Sequence, residues 1–370
     1  MDTPKELNPP FISIKGSYLE SLKYILGIYI NYISQLKTQL ELSKKVYNST
    51  KDISSQLIRS IEEYLIGNSG ESYRIIQQLL RKNKTTINFT SYSLTSCKPL
   101  IRLRESNDNL LNRKDLFHIP FKERQIVTKK RYSIEGLPCL YLSATSYTAW
   151  LELNRPIFNS LWASSFKVNS DLEILDLSFT LEEIINKYRK GCINKEELSY
   201  RLELIPIIIS TSFRVKYHNV NFHEEYIVSG NILQWIISNT RFKGIRYLST
   251  KLNSYNDLDN LWCASNFVIP PFNANIKENY NKFLAKRFYL TNPQNCATLI
   301  AYSNAGGVTC FEVESMGLTE IIDKVENDNK NIFSSIDRLI YNNYNNTSFY
   351  NIDAYIRNLF AYNQVDISSD

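Results

Sequence analysis

Residues Arg131–Glu152, RYSIEGLPCLYLSATSYTAWLE, decide the fold. Gly136 and Pro138 make the first part a turn. Cys139–Leu142 is a short apolar run and reads as a strand. Ser143, Thr145 and Ser146 offer helix caps, and Tyr147–Leu153 reads as the helix that follows. Further strands are expected at Leu172–Leu177, Ile205–Phe213, Ile245–Leu248 and Phe267–Ile269. A late strand pair, Ala297–Tyr302 and Val308–Val313, is expected around Asn304–Gly307. Helices are expected at Leu181–Tyr188, Lys195–Leu204 and Ile232–Ser238. Strands and helices do not alternate strictly, and neither G-x-G-x-x-G nor G-x-x-x-x-G-K-S/T occurs. A Rossmann or P-loop fold is therefore disfavoured, and the class is α+β with a mixed sheet.

Upstream the texture is helical. Leu19, Leu22, Leu26, Tyr29, Ile33, Leu36 and Leu40 fall at alternating steps of three and four, one apolar seam along a helix. Ile25, Ile28 and Ile30 widen that seam, which suits a bundle helix better than a bare coiled coil. The pattern breaks at Ser43. A second helix is expected from Asp52, near its N-cap, to Ile66, and a third over Ser72–Arg81. The division expected is a helical region over 1–90, a mixed domain over 91–315 and a helical appendage over 316–370. The wide Leu/Ile seam offers a docking face for the central domain, a second copy of the chain, or an antitoxin or sensor partner. The residues leave these open.

Composition narrows the function. The 370 residues carry 43 Lys and Arg against 37 Asp and Glu, a net charge of +6, and the basic runs Arg81-Lys82 and Lys129–Arg131 are isolated. No basic stripe of the kind that holds nucleic acid is present. Six cysteines form no C-x-x-C pair and three histidines form no H-x-x-x-H, so neither a zinc site nor a disulfide frame is expected. Met1–Pro10 is polar with two acids, and Tyr24–Ile33, the longest apolar stretch, has about half the ~20 residues a membrane span needs. The expectation is a cytoplasmic protein without a membrane or nucleic-acid partner.

A few side chains are presented for chemistry. Arg131 opens the Gly/Pro turn, where a guanidinium can fork onto a phosphate, although spacing alone equally fits a surface Arg. Arg102 and Arg104 alternate onto one face of the strand Leu100–Leu103, which invites an anion or marks an exposed face. Glu152 stands among Trp150, Leu151 and Leu153, either on the wet side of its helix or beside a pocket. Ser249 ends the strand beginning at Gly244, where a hydroxyl is ordinarily a turn former.

In order, Leu100–Arg104, Arg131–Ser143, Thr148–Glu152, Glu225–Val228, Ile232–Ile236, Gly244–Ser249 and Asn266–Val268 resemble the RES family, named for its Arg, Glu and Ser. Arg131 to Tyr141 is ten residues and Tyr141 to Glu152 is eleven, in keeping with that family's central block. The segment between Glu152 and Ser249 is longer than in a minimal RES domain. The resemblance implies an ADP-ribosyltransferase-like mixed sheet and an enzyme that breaks the nicotinamide–ribose bond of NAD with water or phosphate as acceptor, a glycohydrolase or phosphorylase, as a toxin or defence effector. NAD would be substrate, with no further cofactor and no metal. It implies that Glu152, Arg131 and Ser249 are catalytic and that Arg102, Arg104, Tyr132, Tyr141 and Asn266 bind NAD. An ADP-ribosyltransferase acting on a macromolecule shares the same pocket. A non-catalytic protein working through its N-terminal helices is the third reading.

Overall fold

Ser17 accepts the Glu20 amide while Glu20 reaches back to the Ser17 amide, a capping box that starts helix α1, Tyr18–Gln39. Leu22, Leu26, Tyr29, Ile33 and Leu36 of its seam are buried. Ser43 caps helix α2, Lys44–Leu65, by accepting the Lys45 amide. The break expected at Ser43 falls between α1 and α2, but the start expected near Asp52 is corrected: Asp52 lies inside α2 and pairs with Lys82 at 2.7 Å. The cause is that Thr50 and Ser54 occupy buried positions, with Ser54 Oγ donating to the Thr50 carbonyl, so small polar residues mask the apolar period. Helices α3, Ser69–Lys82, and α4, Lys84–Asn88, follow.

The computed structural model describes residues 3–367, apart from 15, 89, 218–219, 239–240, 253, 256–257, 259, 276 and 306–336. After α4 come β1 (Ser91–Ser93), β2 (Leu100–Glu105), β3 (Leu140–Ser143) and helix α5 (Ser146–Glu152). Next are β4 (Leu161–Val168), β5 (Glu173–Leu177), α6 (Leu181–Arg189), α7 (Lys195–Thr211) and α8 (Ile227–Ser238). The remainder is β6 (Ile245–Leu248), β7 (Ser265–Ile269), α9 (Lys282–Arg287), β8 (Phe288–Leu290), β9 (Gln294–Asn295), α10 (Cys296–Ala305), α11 (Ser348–Asn358) and β10 (Asn363–Gln364).

These strands make one mixed sheet in the order β1-β5-β6-β7-β3-β2-β4-β8-β10, with β9 on β4. Only the β5–β6 pairing is parallel among the described strands. Register places Leu177, Tyr247, Asn266, Ser143 and Ile101 side by side in one row across five strands, all on one face. Two separate helical layers cover that face. Helices α1, α2, α3, α7 and α8 pack over the β5–β6 side, around Leu175, Leu177, Ile245 and Val268. Helices α5, α10 and α11 pack over the β2–β4 side, around Ile101, Leu103 and Ala163. The cleft between the two layers exposes the middle of the row. The opposite face, with Leu142, Phe267 and Ile269, is closed by Phe117, Leu284 and Phe288.

Helix α7 corrects the expected strand Ile205–Phe213. Ile205 and Ile207–Ile209 are all buried, so an apolar run enclosed on every side reads like a core strand. Pro206 inside the helix lacks the N–H that would bond the Leu202 carbonyl. Tyr29 Oη of α1 donates to that carbonyl at 2.6 Å, and Tyr18 Oη donates to the Ser210 carbonyl at 2.7 Å. Tyr29→Phe is expected to cost about 1–3 kcal/mol, the penalty of a buried acceptor left without a donor. It should appear as a lower urea midpoint with an unchanged m-value. An unmoved midpoint would mean that another donor takes over.

Residues Ala297–Tyr302, expected as a strand, lie within α10, and the proposed partner strand Val308–Val313 falls outside the described residues. The Asn/Tyr-rich segment 341–350 is packed: Tyr341, Tyr344 and Phe349 are buried with α5 and α10. Asp353, fully buried on α11, accepts the amide of Ser146, the first residue of α5, at 3.0 Å and Tyr344 Oη at 2.7 Å, and pairs with Arg357 at 3.4 Å. Asp337 accepts Tyr147 Oη and pairs with Arg155 at 3.0 Å. Residues 337–358 therefore brace the seven-residue helix α5 at both ends. Among the described residues no helix is long and apolar enough to cross a membrane.

Candidate active site

Thr145 caps α5 by accepting the Thr148 amide, and the helix ends at Glu152 over the cleft. Asn266 Nδ2 and Ser249 Oγ both donate to Glu152 Oε1, each at 2.6 Å. Ser143, the cross-strand neighbour of Asn266, donates through Oγ to Asn266 Oδ1 at 2.7 Å. That bond fixes which way the Asn266 amide points, so Nδ2 is the end that faces the acid. Ser249 is fully buried, and its own carbonyl accepts Tyr255 Oη. Among the described residues no hydrogen bond is made to Glu152 Oε2. One oxygen of the carboxylate is thus clamped and the other is left to the cleft.

The cleft encloses about 640 Å³, within the range of small-molecule sites. Its floor includes Tyr141, Ser143, Tyr247 and Asn266 of the sheet row and its neighbours. Strands β2 and β3 share a single register pair, Ile101 with Ser143, and then part. Into this split reaches Arg102, whose Nη1 donates to the Tyr141 carbonyl at 3.2 Å, where a ladder bond would otherwise be. Its Nε is buried without a partner, and no carboxylate pairs with it among the described residues. Burial, with Arg104 nearby, pulls the Arg102 pKa down to about 10. An uncompensated buried cation of this kind is stabilised by an incoming oxyanion.

At the other end of the cleft stand the residues after β6. Arg131 donates to the carbonyls of Thr211 and, at 2.5 Å, Phe213, capping α7, and reaches Thr250 Oγ1 at 3.4 Å. Its guanidinium also lies over the Tyr226 ring, 5.2 Å from the centroid. Arg214 donates to the Leu252 carbonyl, and its buried Nε has no partner. Burial lowers the pKa of both Arg214 and Lys251, with Glu152 opposing the shift at Lys251. Among the described residues, Arg102, Lys129, Lys130, Arg131, Arg214 and Lys251 line the cleft against a single acid, Glu152. Tyr141 and Tyr247 are held neutral, since burial pushes both phenols well above their ordinary range. Such a site can bind an anionic ligand and stabilise positive charge at one point.

The chain is 30% identical over 271 residues to a protein of Bacillus subtilis (strain 168) named "Putative toxin YopC". The match takes in 67% of this chain and 60% of that protein, so it spans less than two thirds of the relative. No family model matches the chain, and no solved structure matches it.

Of the residues singled out from sequence, Glu152, Arg131, Arg102, Tyr141 and Asn266 line this one cleft. Ser249 lies just beneath, behind the carboxylate it bonds. Two do not arrive. Tyr132 sits at φ +54°, which turns its ring inward against Tyr247, 4.8 Å between centroids; only its carbonyl serves the site, accepting Tyr141 Oη at 3.1 Å. Arg104 shares a strand face with Arg102, but it lies past the split and its Nη1 donates to the Asp115 carbonyl at 2.7 Å, outside the cleft lining. Sequence reasoning missed Ser143 as a site residue, taking it for a helix cap, and missed Arg214, Tyr247 and Lys251. Tyr247 and Lys251 flank Ser249 by two residues, a signal available once Ser249 was chosen. Arg214 had none.

Proposed function

We propose that this protein degrades NAD by breaking its nicotinamide–ribose bond, and that it does so as a toxin. The observation that carries the reading is Glu152, clamped through one oxygen with the other free, alone among cations in a cleft of dinucleotide size. The printed name of the Bacillus subtilis relative supports the toxin role. In this reading Arg102 and the Arg131 side take anionic oxygens of the dinucleotide, and the ribose lies against Glu152 Oε2. As the C–N bond lengthens, its electron pair passes to the pyridinium ring, which leaves as neutral nicotinamide. Positive charge grows on the ribose carbon, and the Glu152 carboxylate stabilises it. The leaving group is cationic beforehand, so no second acid is needed, unlike the two-carboxylate glycosidase scheme. Water completes the reaction by adding to the ribose carbon and releasing a proton.

Induced expression in bacteria tests the reading directly. Intracellular NAD is expected to fall with wild type and to hold with Glu152→Gln at equal protein levels. Growth arrest with NAD intact would reject it, and label passing from NAD to a macromolecule faster than solvolysis would favour an ADP-ribosyltransferase instead.

Ser143 is assigned a positioning role through Asn266. Ser143→Ala is expected to lower kcat about fivefold to tenfold with KM nearly unchanged, because about 1 kcal/mol of orientation is lost. Ser143→Thr, which keeps the hydroxyl, should restore most of it. Loss in KM alone, or no rescue by Thr, would show that Ser143 only packs.

A further inference from the structure

The chain ahead of α1 reaches the wall of the cleft. Residues 4–14 form an arm that lies outside every stretch resembling the RES family. Phe11 of this arm is buried and makes a parallel bridge with Phe213, two residues past the end of α7. The Phe11 amide donates to the Ser212 carbonyl at 3.0 Å, and the Phe11 carbonyl accepts the Arg214 amide at 2.8 Å. The Phe213 ring, fully buried, packs against Phe11, 5.3 Å between centroids, and against Tyr18 of α1, 5.1 Å. Farther along, Lys216 Nζ donates to the Gly16 carbonyl at 3.1 Å. Ile12 and Ile14 are each 60% exposed, so the apolar grip of the arm on this segment lies in Phe11.

The segment that the arm clasps also fixes two cations of the cleft. The last carbonyls of a helix have no partners within it. At the end of α7 they are taken in turn. The Thr211 and Phe213 carbonyls accept Arg131, and the Ser212 carbonyl between them accepts Phe11. Arg131 is buried, and these carbonyls set where its guanidinium stands. Arg214, whose amide Phe11 holds, lines the cleft and donates to the carbonyls of Lys251 and Leu252. Phe11 therefore ties down the backbone on both sides of Phe213, and with it the acceptors of Arg131 and the root of Arg214.

We propose that Phe11 is a positioning residue of the active site: the N-terminal arm holds the end of α7 so that Arg131 and Arg214 are in place for the substrate's anionic oxygens. The working unit then includes the arm and does not start near residue 91. The consequence for turnover rests on the NAD reading above, whereas the hold on α7 does not. A loosened segment lets both guanidinium groups wander, and the substrate must order them as it binds. Glu152 is held by Ser249 and Asn266 instead, so the charge growing on the ribose is still met. The loss therefore falls on KM and not on kcat.

Two measurements on the full chain test the proposal. The first needs no turnover: amide hydrogen exchange over residues 212–216 in wild type, Phe11→Ala and Phe11→Leu, well below the unfolding transition of each. The Arg214 amide is expected to exchange at least tenfold faster in Phe11→Ala, with the amides of β7 unchanged. Phe11→Leu, which refills the apolar site, should stay within threefold of wild type. Phe11→Val takes the place of Phe11→Ala if that variant does not fold. Unaltered protection of Arg214 would overturn the proposal whether or not NAD is cleaved. The second is nicotinamide release from NAD. Phe11→Ala should raise KM fivefold to tenfold with kcat within twofold of wild type, and Phe11→Leu should restore most of the loss. A fall in kcat at unchanged KM would show that Phe11 serves the fold alone, and would leave the NAD reading standing. Faster exchange at Arg214 in a protein whose wild type leaves NAD intact would do the reverse.

Discussion

Replacing Glu152 by Gln is expected to lower nicotinamide release from NAD about a hundredfold, a barrier increase of ~3 kcal/mol. The substitution preserves shape. A Gln carbonyl oxygen can still accept from Ser249 Oγ and Asn266 Nδ2, the two donors that hold Oε1 in place. Its amide nitrogen then occupies the place of Oε2. Two N–H groups would face the point where positive charge grows on the ribose. The ground state has less of that charge, so KM should change little and kcat should carry the loss. A drop below threefold would remove Glu152 from the chemistry.

The second large effect is on stability. Asp353→Ala is expected to cost about 3–5 kcal/mol, the range for removing one partner of a buried ion pair. The carboxylate is fully buried and serves three groups: the Ser146 amide at the start of α5, Tyr344 Oη and Arg357. Alanine leaves the Ser146 amide and Tyr344 Oη without this acceptor and Arg357 without its counter-charge. Arg357 stays in place through the Ala144 and Pro99 carbonyls, so its charge remains buried near the vacancy. Asp353→Asn should be milder, since its carbonyl oxygen can keep the Ser146 amide. Urea titration of both variants checks the order. Because Asp353 anchors the helix that ends at Glu152, Asp353→Ala should also lower kcat below the unfolding transition. Equal stability of the two variants would show that the charge, which both lose, is what matters, and not the backbone bond that Asn keeps.

Local chemistry was readable in the sequence where one element decides its own form. The Gly/Pro turn, the Thr145 cap and the apolar run made β3 and α5 visible, and the seam of α1 was visible for the same reason. Elements enclosed on all sides were not. Helix α7 is buried around its second half, so it has no polar face to reveal a period, and the carbonyl freed by Pro206 is answered by Tyr29, some 173 residues away. The brace on α5 likewise depends on Asp353, 207 residues from Ser146.

The candidate site follows the same division. Glu152, Ser249 and Asn266 meet because β6, β7 and β3 are neighbours, and no spacing along a chain states which strands lie side by side. Arg102 and Arg104 were correctly placed on one strand face, yet the parting of β2 from β3 brings in only the first. Tyr132 was set beside Arg131 by sequence and turned away by its backbone.

The central claim is that two sets of guanidinium groups and one acid converge on a cleft that takes and cleaves NAD. The most direct measurement is nicotinamide release when the purified full chain is incubated with NAD, beside Glu152→Gln. The account predicts one nicotinamide freed per NAD consumed by wild type, with ADP-ribose or its phosphate as the other product, and about a hundredth of that rate in the variant. NAD that binds the wild-type protein and is recovered intact would contradict it.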